Sequence, residues 1–396
     1  MARRINGEGT IRKRSDNRWE GRYFDPVLQK QKSVYGKTQK EVSSKIKDIL
    51  RDIDEGAYIA KHILTMGQWL DFWFKTYNSN VKPLTYDAYS AIIKNHIKPQ
   101  IGDIQLQEVQ PHHIQGMYNY LIDKENGKGL SVKTVQNVHC VTNKSLQQAV
   151  KLGYIKNNPA SACVLPKHIK KKITPMDTEV IGNFLKEIKK DEFSDLYYVT
   201  LFTGMRQGEV LGLKWDCIDF KKGCIRIKQQ IQKRKGKNQK YYLAPTKSSK
   251  ERIIYPAQFI MDVLQETKIR QNRWKQRAKT EWSTDEMCDG LVFTTDRGEH
   301  LVPNTVYKHY KKIVSAIEQD DLRFHDLRHS FAVISLENGD NIKLVQEALG
   351  HFSAAFTLDT YGHITNKALV ESANRMQSYI SSLNQCSDSK IPLGSN

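Results

Sequence analysis

The spacing of apolar positions changes character along the chain. Residues 10–36 carry short stretches, TIRKR, RWEGRYF and QKSVYG, broken by turn residues at Ser15-Asp16-Asn17 and around Asp25-Pro26, a pattern that predicts three strands. From Thr38 the period lengthens. Thr38 and Glu41 stand at capping-box spacing, and Val42, Ile46 and Ile49 recur on one face, which predicts a helix. Residues 62–165 then show only helical spacing. TMGQWLDFWFKTY aligns Trp69, Leu70, Trp73 and Phe74 on a helix, and LTYDAYSAIIKNHIKPQIG and PHHIQGMYNYLIDKE follow as further helices. SVKTVQNVHCVTNKSLQQAVKLGYI, capped by Ser131, turns Val135, Val138, Thr142, Leu146, Ala149 and Val150 toward a core. These aromatic stripes read as core, not as a cofactor box. Past Pro159, Pro166 and Pro175 the pattern is mixed: helices around 177–190 and 195–203, strands in CIRIKQQIQKR, KYYLAPT and RIIYPA, then helices again.

The expected fold class is therefore multidomain. A small β-sheet-plus-helix N-terminal domain occupies residues 1–57, and an all-α domain 62–165. A basic linker covers 166–175, a mixed, mainly-α (α+β) domain 173–385, and a polar tail 386–396. The chain of 396 residues is long enough for each domain to bury a core.

Charge adds a partner. Lys and Arg total 62 against 43 Asp and Glu, a formal net charge of +19. Such an excess repels itself in a compact fold unless a polyanion uses it, which favours nucleic acid over an anionic membrane surface or a general solubility effect. No apolar run reaches the length of a membrane span, and MARRINGEGTIRKR lacks the apolar core of a signal peptide. The six cysteines show no C-x-x-C spacing, so a reducing cytoplasm is the expected compartment. Strand residues Arg12, Arg14, Arg18 and Arg22 are candidates to meet duplex DNA, with Lys13, Lys30 and Lys32 beside them. Lys94, Lys133, Thr134, Asn137 and Lys144 are candidates on the helical domain, and Lys170, Lys171 and Lys172 in the linker. For each of these the competing reading is a solvated charged face.

The chemistry concentrates in HDLRHSFAVISLENGDNIKLVQEALGHFSAAFTLDTYGHI, residues 325–364. His325 and Arg328 fall on one helical face, His351 follows Gly350 just past a short helix, and Tyr361 comes ten residues later. His325 and His329 could form an H-x-x-x-H metal pair, but the glutamate of H-E-x-x-H is absent, and no acidic cluster offers a two-metal site. No metal or other cofactor is expected. Upstream, LFTGMRQGEVLGLKWDCIDF places Arg206 between Gly204 and Gly208, with Glu209 next. APTKSSKERIIYP sets Lys247 between two strands, at an expected hairpin tip, with Lys250 nearby. Together these residues suit metal-free phosphoryl transfer. Two guanidiniums can grip a phosphodiester, a tyrosine oxygen can attack it, and a lysine and histidines can move the proton. His329 and His363 read as structural, and Tyr241, Tyr242 and Tyr255 as strand packing. ETKIRQNRWKQRAKTEW reads as a basic helix facing DNA or solvent.

The chain resembles the tyrosine recombinases of the phage-integrase family, most of all the integrases of conjugative transposons. TGMRQGEVLGLKW resembles the family's first motif box, and HDLRHSF with LGHFSAAFTLDTYGHI resembles its second in order and spacing. The likeness covers residues 173–385; the two upstream segments resemble an arm-binding domain and a SAM-like core-binding domain. It implies that Arg206 and Arg328 hold the scissile phosphate, that Tyr361 is the nucleophile and that Lys247 is the general acid. It further implies that His325 assists proton transfer, His351 bonds the phosphate, and Glu209 orients the site. Such enzymes leave a 3′-phosphotyrosine and a free 5′-hydroxyl, and exchange strands as tetramers on DNA. A helix like NKALVESANRMQSYISSL, with Leu369, Ala373, Met376 and Ile380 on one side, docks on a neighbouring protomer in that family; packing on its own domain is the alternative. An excision factor and a host DNA-bending protein are further implied partners. A type IB topoisomerase, a non-catalytic DNA-binding or architectural protein, and a metal-dependent phosphohydrolase are the competing functions.

Overall fold

The computed structural model describes residues 10–26, 29–54, 63–167, 175–234, 241–247, 250–351, 353, 355, 357–358, 373–381 and 383. The chain divides into two compact units, Met1–Lys170 and Lys171–Asn396. Among the described residues no helix is long and apolar enough to cross a membrane.

The first unit begins with an antiparallel sheet of β1 (Thr10–Lys13), β2 (Trp19–Asp25) and β3 (Lys30–Gly36). Helix α1 (Gln39–Asp54) covers one face, burying Val42 and Ile46, while Ile49 is only half-buried. The helix sits close because β2 has Gly21 at its centre: a Cβ there would lie 2.3 Å from the Ile46 side chain. The predicted cap is present, with the Glu41 amide donating to Thr38 at 3.2 Å. Strand register leaves Arg12, Glu20, Arg22, Ser33 and Tyr35 on the open face.

The rest of this unit is helical: α2 (Met66–Tyr77), α3 (Pro83–Ile92), α4 (Lys98–Ile101), α5 (Pro111–Ile122) and α6 (Val132–Lys151). A π-helical turn, Ile93–Ile97, joins α3 to α4 and carries Lys94 on its exposed side. The predicted stripe is the core: Trp69, Leu70, Trp73, Val135, Val138, Leu146 and Ala149 are buried. On α6 the buried face also takes Val141 and Ser145, while Val150 is half-buried.

The second unit packs α7 (Thr178–Ile188), α8 (Ser194–Thr203) and α9 (Gln207–Leu211) around one apolar cluster with α10 (Gln258–Ala278) and α11 (Pro303–Ala316). Helices α12 (Asp326–Glu337) and α13 (Ile342–Leu349) follow. The basic stretch expected over 266–286 is part of α10, which starts earlier and ends at Ala278.

The strands depart from the expected pattern. CIRIKQQIQKR is not one strand but two, β5 (Cys224–Ile227) and β6 (Gln229–Lys233), in different sheets. They part at Lys228, whose ammonium is held by Asp216 at 2.9 Å. β5 lies between β4 (Ile218–Asp219) and β8 (Arg252–Ile254), whereas β6 pairs with β7 (Tyr241–Pro245). The segment carrying Lys247 and Lys250 is therefore a crossover between sheets, not a hairpin tip.

Candidate active site

The predicted residues converge on the C-terminal end of α13. That helix stops at Gly350, which takes the left-handed conformation at φ 63°. A helix end leaves carbonyl oxygens without intrahelical donors and carries partial negative charge, so it attracts cations. Three arginines from three segments supply the missing donors. Arg252 Nε donates to Ala348 O at 2.8 Å, Arg328 Nη2 to Leu349 O at 2.5 Å, and Arg206 Nη2 to Gly350 O at 3.4 Å. His351 comes next in the chain, so the arginine clasp also fixes that imidazole. Its Nδ1 shares a 2.9 Å hydrogen bond with Thr357 Oγ1.

Arg328 is almost fully buried, with 2% of its surface exposed. A buried guanidinium needs acceptors for its donors, and Gly204 O provides another at 2.7 Å. Gly204 ends α8 at φ 64°, and a Cβ there would lie 2.5 Å from the Phe331 ring. Glycine thus lets the chain turn toward α9 while its carbonyl faces Arg328.

Arg206 caps α9. Its backbone N–H donates to Glu209 at 2.9 Å and its Nη1 to the same carboxylate at 2.7 Å. Arg252 adds Nη1 at 3.0 Å and Nη2 at 2.6 Å. Burial alone would raise the Glu209 carboxyl, but Arg252 and Arg206 outweigh it and hold the group down to about 2. Glu209 is therefore ionised across the neutral range.

The imidazoles are pushed toward neutrality. Desolvation, then Arg328 and Arg206, lowers His351 to about 3. His325, although exposed, follows to about 4 through desolvation, then His329, Arg328 and Arg206. His329, one turn along α12, is lowered to about 4, chiefly by desolvation.

The structure thus brings together Arg206, Glu209, His325, Arg328 and His351. Lys247 lies exposed on the crossover from β7 to β8. Tyr361 lies outside the described residues, as do His363, Leu369 and Lys170, Lys171 and Lys172. Arg252 and Thr357 belong to the same constellation but escaped sequence reasoning. Arg252 sits in an RII stretch where alternation reads as polar-outward; the clue was a basic residue between the candidate lysine and an apolar strand.

Away from this site, Arg12 and Arg22 line the open sheet face, and Arg14 and Arg18 place guanidiniums 5.6 and 5.8 Å from the Tyr35 ring centre. Lys32 turns to the other face and pairs with Asp25 at 3.3 Å. On α6, Lys133, Asn137 and Lys144 are exposed, whereas Thr134 is half-buried and bonded to Ser131 in the helix cap.

Residues 141–368 match the family model described as Phage integrase family, and residues 65–122 that of Phage integrase, N-terminal SAM-like domain. The chain is 30% identical over 353 residues to the "Tyrosine recombinase XerC-like" protein of Caldanaerobacter subterraneus, covering 85% of this chain and 88% of the relative. It is 23% identical to the ICEBs1 integrase of Bacillus subtilis over 89% of this chain and 94% of that one. Its fold is similar to that of the Tn1549 transposon integrase solved with a circular intermediate DNA, at TM-score 0.66 and 20% identity over 79% of this chain and 99% of that one. A lambda integrase tetramer bound to a Holliday junction is similar at TM-score 0.54 and 18% identity, over 90% and 96% of the two chains. With a family model over more than half its length and a relative 30% identical over 85% of it, the chain belongs to the phage integrase family and is a tyrosine recombinase.

Proposed function

We propose that the chain cuts and rejoins duplex DNA at defined sites, excising and integrating a mobile element through a 3′-phosphotyrosine. The observation that carries this reading is the convergence of Arg206 and Arg328 on adjacent carbonyls beside His351. Guanidiniums fixed by protein acceptors present their remaining N–H groups without reorganisation, as stabilising a pentacoordinate phosphorane requires. In the first step the Tyr361 oxygen attacks phosphorus and its proton is taken up by a neutral imidazole or water. The P–O5′ bond breaks, and Lys247 protonates the departing oxygen to give the 5′-hydroxyl. In the second step a 5′-hydroxyl of the partner strand attacks the phosphotyrosine and gives its proton back to Lys247; the P–O bond to Tyr361 breaks, and the tyrosine oxygen regains its proton from the imidazolium or hydronium formed in the first step. The phosphodiester energy is kept in the intermediate, so rejoining needs no nucleotide. His351 hydrogen-bonds the phosphate, His325 assists the proton movements, and Glu209 orients Arg206.

The partners follow from the same reading. Duplex DNA meets core-site contacts around Lys94, Lys133, Asn137 and Lys144 and separate arm sites through the open sheet face. Four protomers assemble on DNA, exchanging the C-terminal helix. Its described residues support this, because Met376, Tyr379 and Ile380 are 44 to 61% exposed on the single chain. An excision factor and a DNA-bending protein complete the assembly, which acts in the cytoplasm.

The test is covalent trapping on a nicked duplex carrying the ends of the element that encodes the chain. The wild-type chain forms a protein–DNA adduct whose DNA-linked peptide contains Tyr361, and Tyr361→Phe binds without forming it. An adduct that persists in Tyr361→Phe would show the nucleophile to be another group. Relaxation of any supercoiled plasmid without site preference would replace the recombinase reading with a topoisomerase.

A further inference from the structure

Glu209 is buried, yet it serves two guanidiniums at once. Oε1 accepts from Arg206 Nη1 and Arg252 Nη1; Oε2 accepts from Arg252 Nη2 and the Arg206 backbone. Arg252 holds the bidentate seat on the carboxylate, while Arg206 touches it through a single side-chain nitrogen. Two cations on one anion leave a net positive charge. A lone Arg206–Glu209 pair would close on itself as a neutral unit, and an incoming phosphate would have to compete with a carboxylate for Arg206. The third nitrogen of Arg252, Nε, donates to Ala348 O at 2.8 Å, so the same side chain ties α9 to the end of α13. Gly350 accommodates its passage: a Cβ there would sit 3.1 Å from Arg252 Cδ and 3.2 Å from its Nη1.

We infer that Arg252 is a positioning residue of the recombinase reaction: by occupying Glu209 it reserves the charge of Arg206 for the scissile phosphate, and by holding Ala348 it sets His351 against that phosphate. Arg252 does not touch DNA in this role, which rests on the function proposed above. Lysine cannot substitute, because an ammonium is a point donor and cannot span both carboxylate oxygens and a carbonyl on another element.

The test compares wild type, Arg252→Lys, Arg252→Gln, and Arg252→Gln combined with Glu209→Gln, on the nicked suicide duplex described above. The rate of covalent adduct formation and the half-saturating DNA concentration are measured separately, with circular dichroism as the check on folding. Arg252→Lys should cleave about 100-fold more slowly, as expected of a reacting geometry loosened by a fraction of an ångström, with half-saturation within about twofold of wild type. The double variant should recover about tenfold over Arg252→Gln alone, because a neutral amide in place of the carboxylate no longer sequesters Arg206; a purely structural role would make the two losses add. Wild-type cleavage rates in Arg252→Lys, or additive losses in the double variant, would overturn the inference while leaving the recombinase reading intact. If Arg252→Gln fails to fold, the Arg252→Lys rate decides alone. A wild-type chain that forms no adduct would overturn the recombinase reading and this inference with it.

Discussion

His325 and His329 meet edge to face, their ring centres 5.0 Å apart and their planes at 88°. Desolvation is the main cause that lowers each from the ordinary 6.5 to about 4; His329, Arg328 and Arg206 add to it at His325, and Arg328 and Arg323 at His329. His351 lies lower still, at about 3. Adduct formation should therefore show no histidine inflection between about pH 6 and 8, because the imidazoles are already neutral there. Between these lowered values and 6.5 the unfolded chain's imidazoles bind more protons than the folded chain's, so their contribution to stability falls as pH drops through 6.5 and levels off near the folded values. Denaturant melts at about pH 7 and pH 5 check the second statement. A pH–rate profile with a step near the ordinary histidine value would contradict the first.

Gly204 links backbone conformation to Arg328, a proposed phosphate ligand. Its carbonyl accepts from Arg328, and its left-handed φ coincides with crowding by Phe331 and by Leu349, which a Cβ would meet at 2.8 Å. Gly204→Ala is expected to cost about 1–3 kcal/mol of stability and to lower the cleavage rate by displacing that carbonyl. Gly223 supplies the control. It has the same φ of 64° but nothing within 4 Å of its added Cβ. Gly223→Ala should therefore cost only the backbone strain of about 1 kcal/mol and leave cleavage unchanged. Thermal melts of both variants with the suicide-duplex assay separate the effects.

How far this site could be read from sequence depended on how local its determinants are. Arg206 and Glu209 are three residues apart, so helical geometry alone predicts that they meet. The core of α2 and α6 was legible for the same reason, since the helical period is a local property. Strand partners are not local. Nothing in CIRIKQQIQKR announces that Lys228 hands the chain from one sheet to another, and with that went the true setting of Lys247. Arg252 was hidden because both its acceptors, Glu209 and Ala348, are distant in sequence. Tyr361 is the reverse case, named by its motif alone and lying outside the described residues.

Arg206 and Arg328 should respond differently to the same substitution. Arg328 is buried and bonded to two carbonyls from distant segments. Arg328→Lys leaves at least one of them without its charged donor, at about 1.5–3 kcal/mol per bond, so the variant should lose stability as well as cleavage. Arg206 is more open, with 22% of its side chain exposed. Arg206→Lys should melt near the wild type yet cleave about 100-fold or more slowly, because an ammonium cannot form a two-pronged grip on phosphate. Equal losses of stability in the two variants would refute this division.

The open sheet face yields a prediction about specificity. Glu20 is the anion at its centre, accepting from Arg12 at 2.6 Å, Ser33 at 2.8 Å and Arg22 at 3.3 Å. The Ser33 hydroxyl and then Arg12 hold its carboxyl down to about 2, so it is charged across the neutral range in the free chain. The carboxylate lowers the face's attraction for phosphates in general but fixes two guanidiniums in direction, as reading base edges in a groove requires. Glu20→Gln should therefore bind random duplex more tightly and discriminate arm sequences less. Removing one negative charge should steepen the slope of log affinity against log salt by up to about one, and Arg12→Ala should flatten it by about one. Fluorescence anisotropy between about 50 and 200 mM salt, on specific and random duplexes, measures both quantities. Unchanged slopes in both variants would remove this face from the DNA interface.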